Sequence, residues 1–341
     1  MPVLGQVHID QALSDLSIMY MNENLIADDV FPPLPVAKRS DKYFVYSTSA
    51  FLSTSGTDAK GNPLSIRRPG TEAASIDYAV STDNYYAEKL SLKSLVSDEE
   101  LAYADNPLQP DIDATYLVTE RIKLDNEVQV ANKVGTRANY NAAYQEQLTT
   151  GSTGTSWAQY ASANSNPFTD LKNGRIQVIK GIQRNANTLL LTVDSARTLA
   201  DHPLYKDLYK FTTIEGQTVS GLSKTIRGLD VIEGFQQKNT QAENPTGAAT
   251  TGDVWVDDQG QNMALVYYRT SNTGPRTMHF GRTFEAPDET TGVRGFQVRR
   301  YRWEILNGQY IEGSCLRDWK IIAKDANGLA IGGYLISGCT L

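Results

Sequence analysis

Apolar and polar positions along the chain change period several times, and each change marks an element. Leu13, Leu16, Ile18, Met19, Leu25 and Ile26 give partial helical spacing over 10–27, with Asp10 as an acceptable N-cap. Phe31-Pro32-Pro33-Leu34-Pro35-Val36 then ends any helix, because the prolines favour extended backbone and remove amide donors. Such an arm has little to bury by itself and is expected to lie on something else. Lys42 to Leu52 is rich in β-formers and predicts a strand. A polar stretch, Ser53 to Pro69, is punctuated by Gly56, Gly61, Pro63 and Pro69. Alternation returns with Ile76, Tyr78 and Val80 and again with Leu90 and Leu92. The sum is a projecting β-hairpin with a tip longer than the usual hairpin connection, and long loops are commonly functional.

The clearest helix covers 111–134. Asp111 and Asp113 suit a helix N-terminus, and Ala114, Leu117, Val118, Ile122, Leu124, Val128 and Ala131 follow helical spacing to a stop at Gly135. A helix that long implies a structural spine. Past the Gly151–Ser156 loop, the pattern predicts a helix from Pro167 and a buried strand over 188–193. A helix capped by Asp194 then ends near His202-Pro203. A short helix over Val219 to Ile226 and a strand over Leu229–Ile232 complete an α/β-like alternation. Gln236 to Asp253 reads as a polar loop. Strands at 262–268, 293–303, 315–323 and 330–336 make the C-terminal part β-rich.

Length and charge sharpen this picture. At 341 residues, two or three packed subdomains are expected, and 40% hydrophobic with 21% charged residues argues against disorder. Cys315 and Cys339 cannot make a disulfide framework, so stability must come from packing, as suits a reducing cytoplasm. The N-terminus lacks the basic and apolar regions of a secretory signal, and no apolar run is long enough for a membrane helix, so a soluble protein is expected. The net charge of −7 disfavours a surface that grips nucleic acid throughout. Its distribution is blocked. Residues 1–37 carry Asp10, Asp15, Glu23, Asp28 and Asp29 and no base, while 38–70 carry Lys38, Arg39, Lys42, Lys60, Arg67 and Arg68 against Asp41 and Asp58. Residues 71–130 are again strongly acidic. The blocks fit charge-complementary contact between copies, or an ordinary solvated surface.

Candidate chemistry is scarce. There is no phosphate-binding G-x-x-x-x-G-K-[ST], no G-x-G-x-x-G and no G-x-S-x-G, and Gly221-Leu222-Ser223-Lys224-Thr225 misses the last at its final position. His8, His202 and His279 lack ligand spacing, and Asp253, Asp257 and Asp258 fail the EF-hand pattern. Glu99-Glu100 would point apart on a helix. The tryptophans and tyrosines have no basic stripe beside them and read as core and interface residues. No cofactor, metal site or catalytic residue is expected.

The serial order of short motifs carries a resemblance. Phe31-Pro-x-x-Pro35-Val36-x-Lys38-x-Ser40-x-Lys42-Tyr43-Phe44-Val45-Tyr46 is followed by Arg67-Arg68-x-Gly70-x-Glu72-Ala73, Asp77-Tyr78 and Asn106-Pro107-Leu108. Ser156-Trp157, Asn166-Pro167-Phe168-x-Asp170, Asn187-Thr188-Leu189 and Val254-Trp255 come after the long helix. In this order, over roughly 25–340, the chain resembles the major capsid proteins of tailed double-stranded DNA phages. The resemblance implies the α+β Hong Kong 97-type fold. It places an N-terminal arm at 1–41, an E-loop hairpin at 42–96, a P-domain at 97–166 with spine helix 111–134, an A-domain at 167–290, and C-terminal strands at 291–341 completing both domains. It further implies hexameric and pentameric capsomers closing an icosahedral head around DNA. Scaffolding, portal and decoration proteins are the expected partners, with assembly in the host cytoplasm and no enzymatic activity. Some relatives carry a cleavable segment ahead of the arm; the expectation here is that such a segment is removed or that a separate scaffold exists. Contacts between subunits are expected at Lys60, Arg67 and Arg68 of the E-loop tip and at Phe31, Pro32, Pro35, Lys38 and Arg39 of the arm. An encapsulin, a cellular compartment shell of the same fold, is the alternative.

Overall fold

The computed structural model describes residues 25–46, 56, 63, 65–67, 69–75, 80–104, 109–151, 153–210, 221–239, 251–270, 277–288 and 292–340. Along the chain, a single turn α1 (Ala27–Val30) leads into strand β1 (Pro33–Pro35). Strands β2 (Ser40–Tyr46) and β3 (Val80–Tyr86) pair antiparallel from Ser40↔Tyr86 to Tyr46↔Val80. Then come β4 (Glu88–Ser97), α2 (Asp98–Tyr103), the spine α3 (Pro110–Gly135) and β5 (Gln145–Gln147). An α/β run follows: α4 (Pro167–Ile182), β6 (Thr188–Thr192), α5 (Val193–Asp201), α6 (Pro203–Tyr209), β7 (Thr225–Ile226) and β8 (Leu229–Gly234). Strands β9 (Gln237–Asn239), β10 (Thr251–Asp253), β11 (Met263–Tyr267), β12 (Gly281–Glu285), β13 (Gln297–Trp303), β14 (Gly308–Ile321) and β15 (Gly333–Ser337) complete it.

Two sheets carry the architecture. In the first, β14 is the central strand: β12 and β13 share one of its edges, β4 takes the other, and β1 adds in parallel to β12. The second has the order β5-β15-β11-β6-β8-β7. Its central strands are apolar at nearly every position, as burial on both faces requires. Leu189, Leu191, Ala264 and Val266 face a core with Leu171, Val178 and Ile182 of α4. The alternate residues Leu190, Met263, Leu265 and Tyr267 face a second core with Val130, Ala131 and Val134 of α3, Trp255 and Phe280.

The spine helix, 26 residues and about 39 Å long, runs one residue past the expected span at each end. Ala114, Val118, Ile122, Asn126, Val130 and Val134 recur every fourth position and form its buried stripe. Leu117, which the spacing placed inward, is 49% exposed. The last helical residue, Gly135, needs to be a glycine because a Cβ there would run into the Val256 carbonyl, with Asp257 Cα only 3.1 Å away.

Several elements differ from expectation. Nearly all of the helix expected over 10–27 lies outside the described residues. Leu90 and Leu92 belong to β4, which leaves the hairpin and joins β14. Thr192, not Asp194, caps α5, its hydroxyl accepting from Ser195 N at 3.4 Å. The described part of the helix expected over Val219–Ile226 is instead a bend and the short edge strand β7, with Gly221 at φ +83°. The polar loop expected over Gln236–Asp253 is paired at both ends as β9 and β10.

Candidate intersubunit surface

The arm residues divide between the inside and the outside of the chain. Phe31 is fully buried, its ring edge-on to Phe280 at 5.8 Å and lying over Gly281, where a Cβ would come within 2.5 Å of its Cζ. Pro32 is buried too. The Thr283 hydroxyl donates to Phe31 O at 3.0 Å and Thr283 N donates to Pro32 O at 3.3 Å. Phe31 and Pro32, expected at a contact between subunits, are covered within the chain by its own β12. Prolines tolerate this edge position because an edge strand need not donate outward. Pro35 is exposed, and the Lys38 side chain is 71% exposed with Asp41 at 3.5 Å. Arg39 is half-buried; its Nε donates to Ala87 O at 3.1 Å and its guanidinium lies 5.1 Å from the Tyr86 ring centre.

The β2–β3 hairpin is tied down on one face only. Tyr43 and Tyr85 lie against Phe284, with ring centres 5.3 and 4.7 Å away. Asp83 accepts from the Tyr43 hydroxyl at 2.7 Å and pairs with Lys324 at 3.0 Å. Burial raises the Tyr43 hydroxyl above its ordinary pKa, helped by Asp83. Burial pushes Asp83 upward as well, but the Tyr43 and Lys324 bonds prevail and hold it below the usual carboxylate range. On the opposite face Phe44 is 70% exposed and Tyr86 is exposed. Towards the tip, Arg67 is exposed and its Nε donates to Thr71 O at 2.5 Å; Lys60 and Arg68 lie outside the described residues.

A second exposed region was missed in the sequence. The β13–β14 turn, α2 and the start of α3 share one end of the molecule. Asp98 N donates to Asn307 O at 2.9 Å, Arg302 pairs with Asp98 at 2.8 Å and Arg300 with Asp111 at 3.1 Å. Around these pairs Tyr103, Ile305, Leu117, Ile112 and Trp303 are all exposed. The signal available was the apolar pair Ile305-Leu306 directly before the Asn307-Gly308 turn. Of the acids over 71–130, Asp83, Asp98, Asp111 and Glu120 are engaged by bases of their own chain, whereas Glu72, Glu88, Glu99 and Asp113 are exposed.

Among the described residues, one constellation that imitates catalytic geometry is structural. His202 Nε2 lies 3.3 Å from Ser165 Oγ, but His202 Nδ1 accepts the Leu204 amide at 3.2 Å and caps α6. Nε2 therefore carries the proton, and Ser165 spends its own on Ser156 O at 2.8 Å. A ring with no free acceptor cannot take a proton from the serine. Burial also lowers the His202 pKa, keeping the ring neutral. Among the described residues no group of three or more His, Cys, Asp or Glu is placed to hold a metal ion.

Comparison with known proteins follows the same lines. No protein-family model matches the chain. It is 22% identical over 337 residues to the major capsid protein of Burkholderia phage BcepMu, covering 97% of this chain and 96% of that one. In structure it is similar to a phage-related protein from Bordetella bronchiseptica, with a TM-score of 0.64, 21% identity and 94% of each chain covered. The capsid structure of cyanophage P-SCSP1u matches with a TM-score of 0.59 at 12% identity, over 94% of this chain and 90% of that one. The SrpI encapsulin of Synechococcus elongatus matches with a TM-score of 0.54 at 13% identity, over 97% and 96%. The resemblance to phage major capsid proteins thus holds along almost the entire sequence, and the chain has the α+β fold of phage capsid shells.

Proposed function

We propose that this chain is the major capsid protein of a tailed phage, a structural, non-enzymatic subunit whose copies form hexamers and pentamers and close an icosahedral head around packaged DNA. The observation that carries this reading is the hairpin with one aromatic face docked and the other, Phe44 and Tyr86, left exposed. Apolar surface of this kind, together with the Tyr103–Ile305 end, marks sites of association. Arm, hairpin and spine correspond to the N-terminal arm (1–41), E-loop (42–96) and P-domain (97–166) of the implied architecture, and 167–290 to the A-domain.

In this reading the neighbour contacts narrow to Pro35, Lys38 and Arg39 and to the tip bases Lys60, Arg67 and Arg68. The acids they meet are Glu72, Glu88, Glu99 or Asp113 of an adjacent copy. Exposed ion pairs contribute about 0–1 kcal/mol each, so they set register while apolar burial supplies strength. Scaffolding, portal and decoration proteins are the further partners, the virion is the destination and the host cytoplasm the place of assembly. A net charge of −7 keeps the shell from gripping DNA tightly.

Electron microscopy of the purified protein tests the reading: closed shells or capsomers are expected, and a stable monomer at high concentration overturns it. Arg67→Glu with Arg68→Glu should lower the yield of regular shells; unchanged size and yield would remove the tip contact. The likeness to an encapsulin supports a second reading, a compartment for protein cargo. Nuclease-protected DNA in native shells favours the phage head, and enclosed enzyme favours the compartment.

A further inference from the structure

Glu127 sits past the midpoint of the spine helix, is fully buried, and has three N–H donors around its carboxylate. Ile26 N donates to Oε1 at 3.0 Å, Ala27 N to Oε2 at 2.8 Å, and the Trp255 indole to Oε1 at 2.8 Å. The first two are orphan amides at the start of α1, whose N-cap residue Ile26 offers no side-chain acceptor. A residue one hundred positions away thus does the work of an N-cap. The adjacent Asn126 accepts from the Trp319 indole at 2.8 Å and donates to Asp28 at 3.5 Å. Arg317 reaches the same Asp28 at 3.3 Å, and Arg269 holds Asp29 at 2.6 Å. All three partners of Glu127 are donors, so both oxygens must accept, which a carboxylate does and an amide cannot.

We infer that Glu127 is a positioning residue that latches residues 25–31 to the spine as a strap. Ile26, Ala27, Val30 and Phe31 are buried in the same core as Val130 and Val134 of the spine, so apolar packing holds the segment while the carboxylate fixes its first turn. A buried carboxylate held by N–H donors rather than by a cation is stabilised only by those donors, so docking and latch stand or fall together.

Native-state hydrogen exchange on the unassembled chain tests this, and does so whether or not shells form. In Glu127→Gln, whose amide group turns a donor towards one of the three N–H groups, exchange over 25–31 should rise at least about tenfold with 130–134 unchanged. An unchanged strap in Glu127→Gln, or loss of the whole fold in that variant, would overturn the latch.

Discussion

The contact between Phe31 and Gly281 makes a quantitative claim about how the arm is seated. Gly281 stands at the start of β12, and a methyl added there would lie 2.5 Å from Phe31 Cζ and 2.6 Å from Cδ1. The ring cannot step aside, because Phe280 lies edge-on to it and the side chain is fully enclosed. Gly281→Ala should therefore destabilise by about 2 kcal/mol through overpacking. Phe31→Ala removes a buried ring and should cost about 3–4 kcal/mol. The informative case is the double variant. With the ring gone the three atoms nearest the new methyl are removed, so Phe31→Ala with Gly281→Ala should cost no more than Phe31→Ala alone. That is a favourable coupling of about 2 kcal/mol, well above the roughly 0.3–0.5 kcal/mol scatter of independent sites. Urea unfolding of the unassembled protein, followed by tryptophan fluorescence, supplies all three values. Additive costs, or a neutral Gly281→Ala, would mean that the arm is not seated on β12 in solution.

Gly135→Ala sets two effects against each other: alanine favours a helix by about 1 kcal/mol, but its Cβ would meet the Val256 carbonyl, and backbone there cannot yield. The midpoint of unfolding should fall, and a rise would remove the steric explanation for that glycine. His279 is fully buried, and burial, then the nearby Arg282, push its pKa down to about 4. The unfolded chain then binds the extra proton more readily, so stability is complete above about pH 6.5 and falls towards pH 4, by at most about 3 kcal/mol. His279→Gln should flatten that part of the profile of thermal midpoint against pH, and an unaltered slope would assign it to other groups.

What was legible in the sequence was whatever depended on local periodicity. The four-residue repeat of the spine, the apolar runs of β6, β8 and β11, and the Asn166-Pro167 start of α4 all stand where the pattern puts them. Elements set by their neighbours were not legible. Gly-Arg-Thr-Phe-Glu of β12 has no strand pattern of its own and is held extended between β1 and β14. The stretch over 221–226 has helical spacing, yet Gly221 and Gly228 both take positive φ and turn it into the edge of the second sheet. The latch left a faint trace: Asn126 interrupts an otherwise apolar stripe with Glu127 directly after it, and polar residues on a buried face require partners. The partner amides belong to the segment read as an arm without a home, which is why the two readings did not meet.

That segment changes where the reach of the molecule comes from. Prolines suggested that residues 31–36 find nothing to bury within the chain, but Phe31 and Pro32 are enclosed and β1 is paired. The stretch just ahead of the hairpin is thus a fixture. The hairpin is different for a reason that follows from strand geometry. Successive side chains alternate between faces, so Tyr43 and Tyr85 can dock on Phe284 only if Phe44 and Tyr86 point the other way. A two-stranded ribbon is marginal by itself, and this one has a body beneath one face only. Aromatic residues on the second face are stabilising once another surface covers them, and in the proposed shell that cover would come from a neighbouring copy, for example from its exposed Tyr103 and Ile305. Phe44→Asp should therefore leave the free chain as stable as before while lowering the yield of shells; a loss of stability in the unassembled protein would place that face against its own body instead.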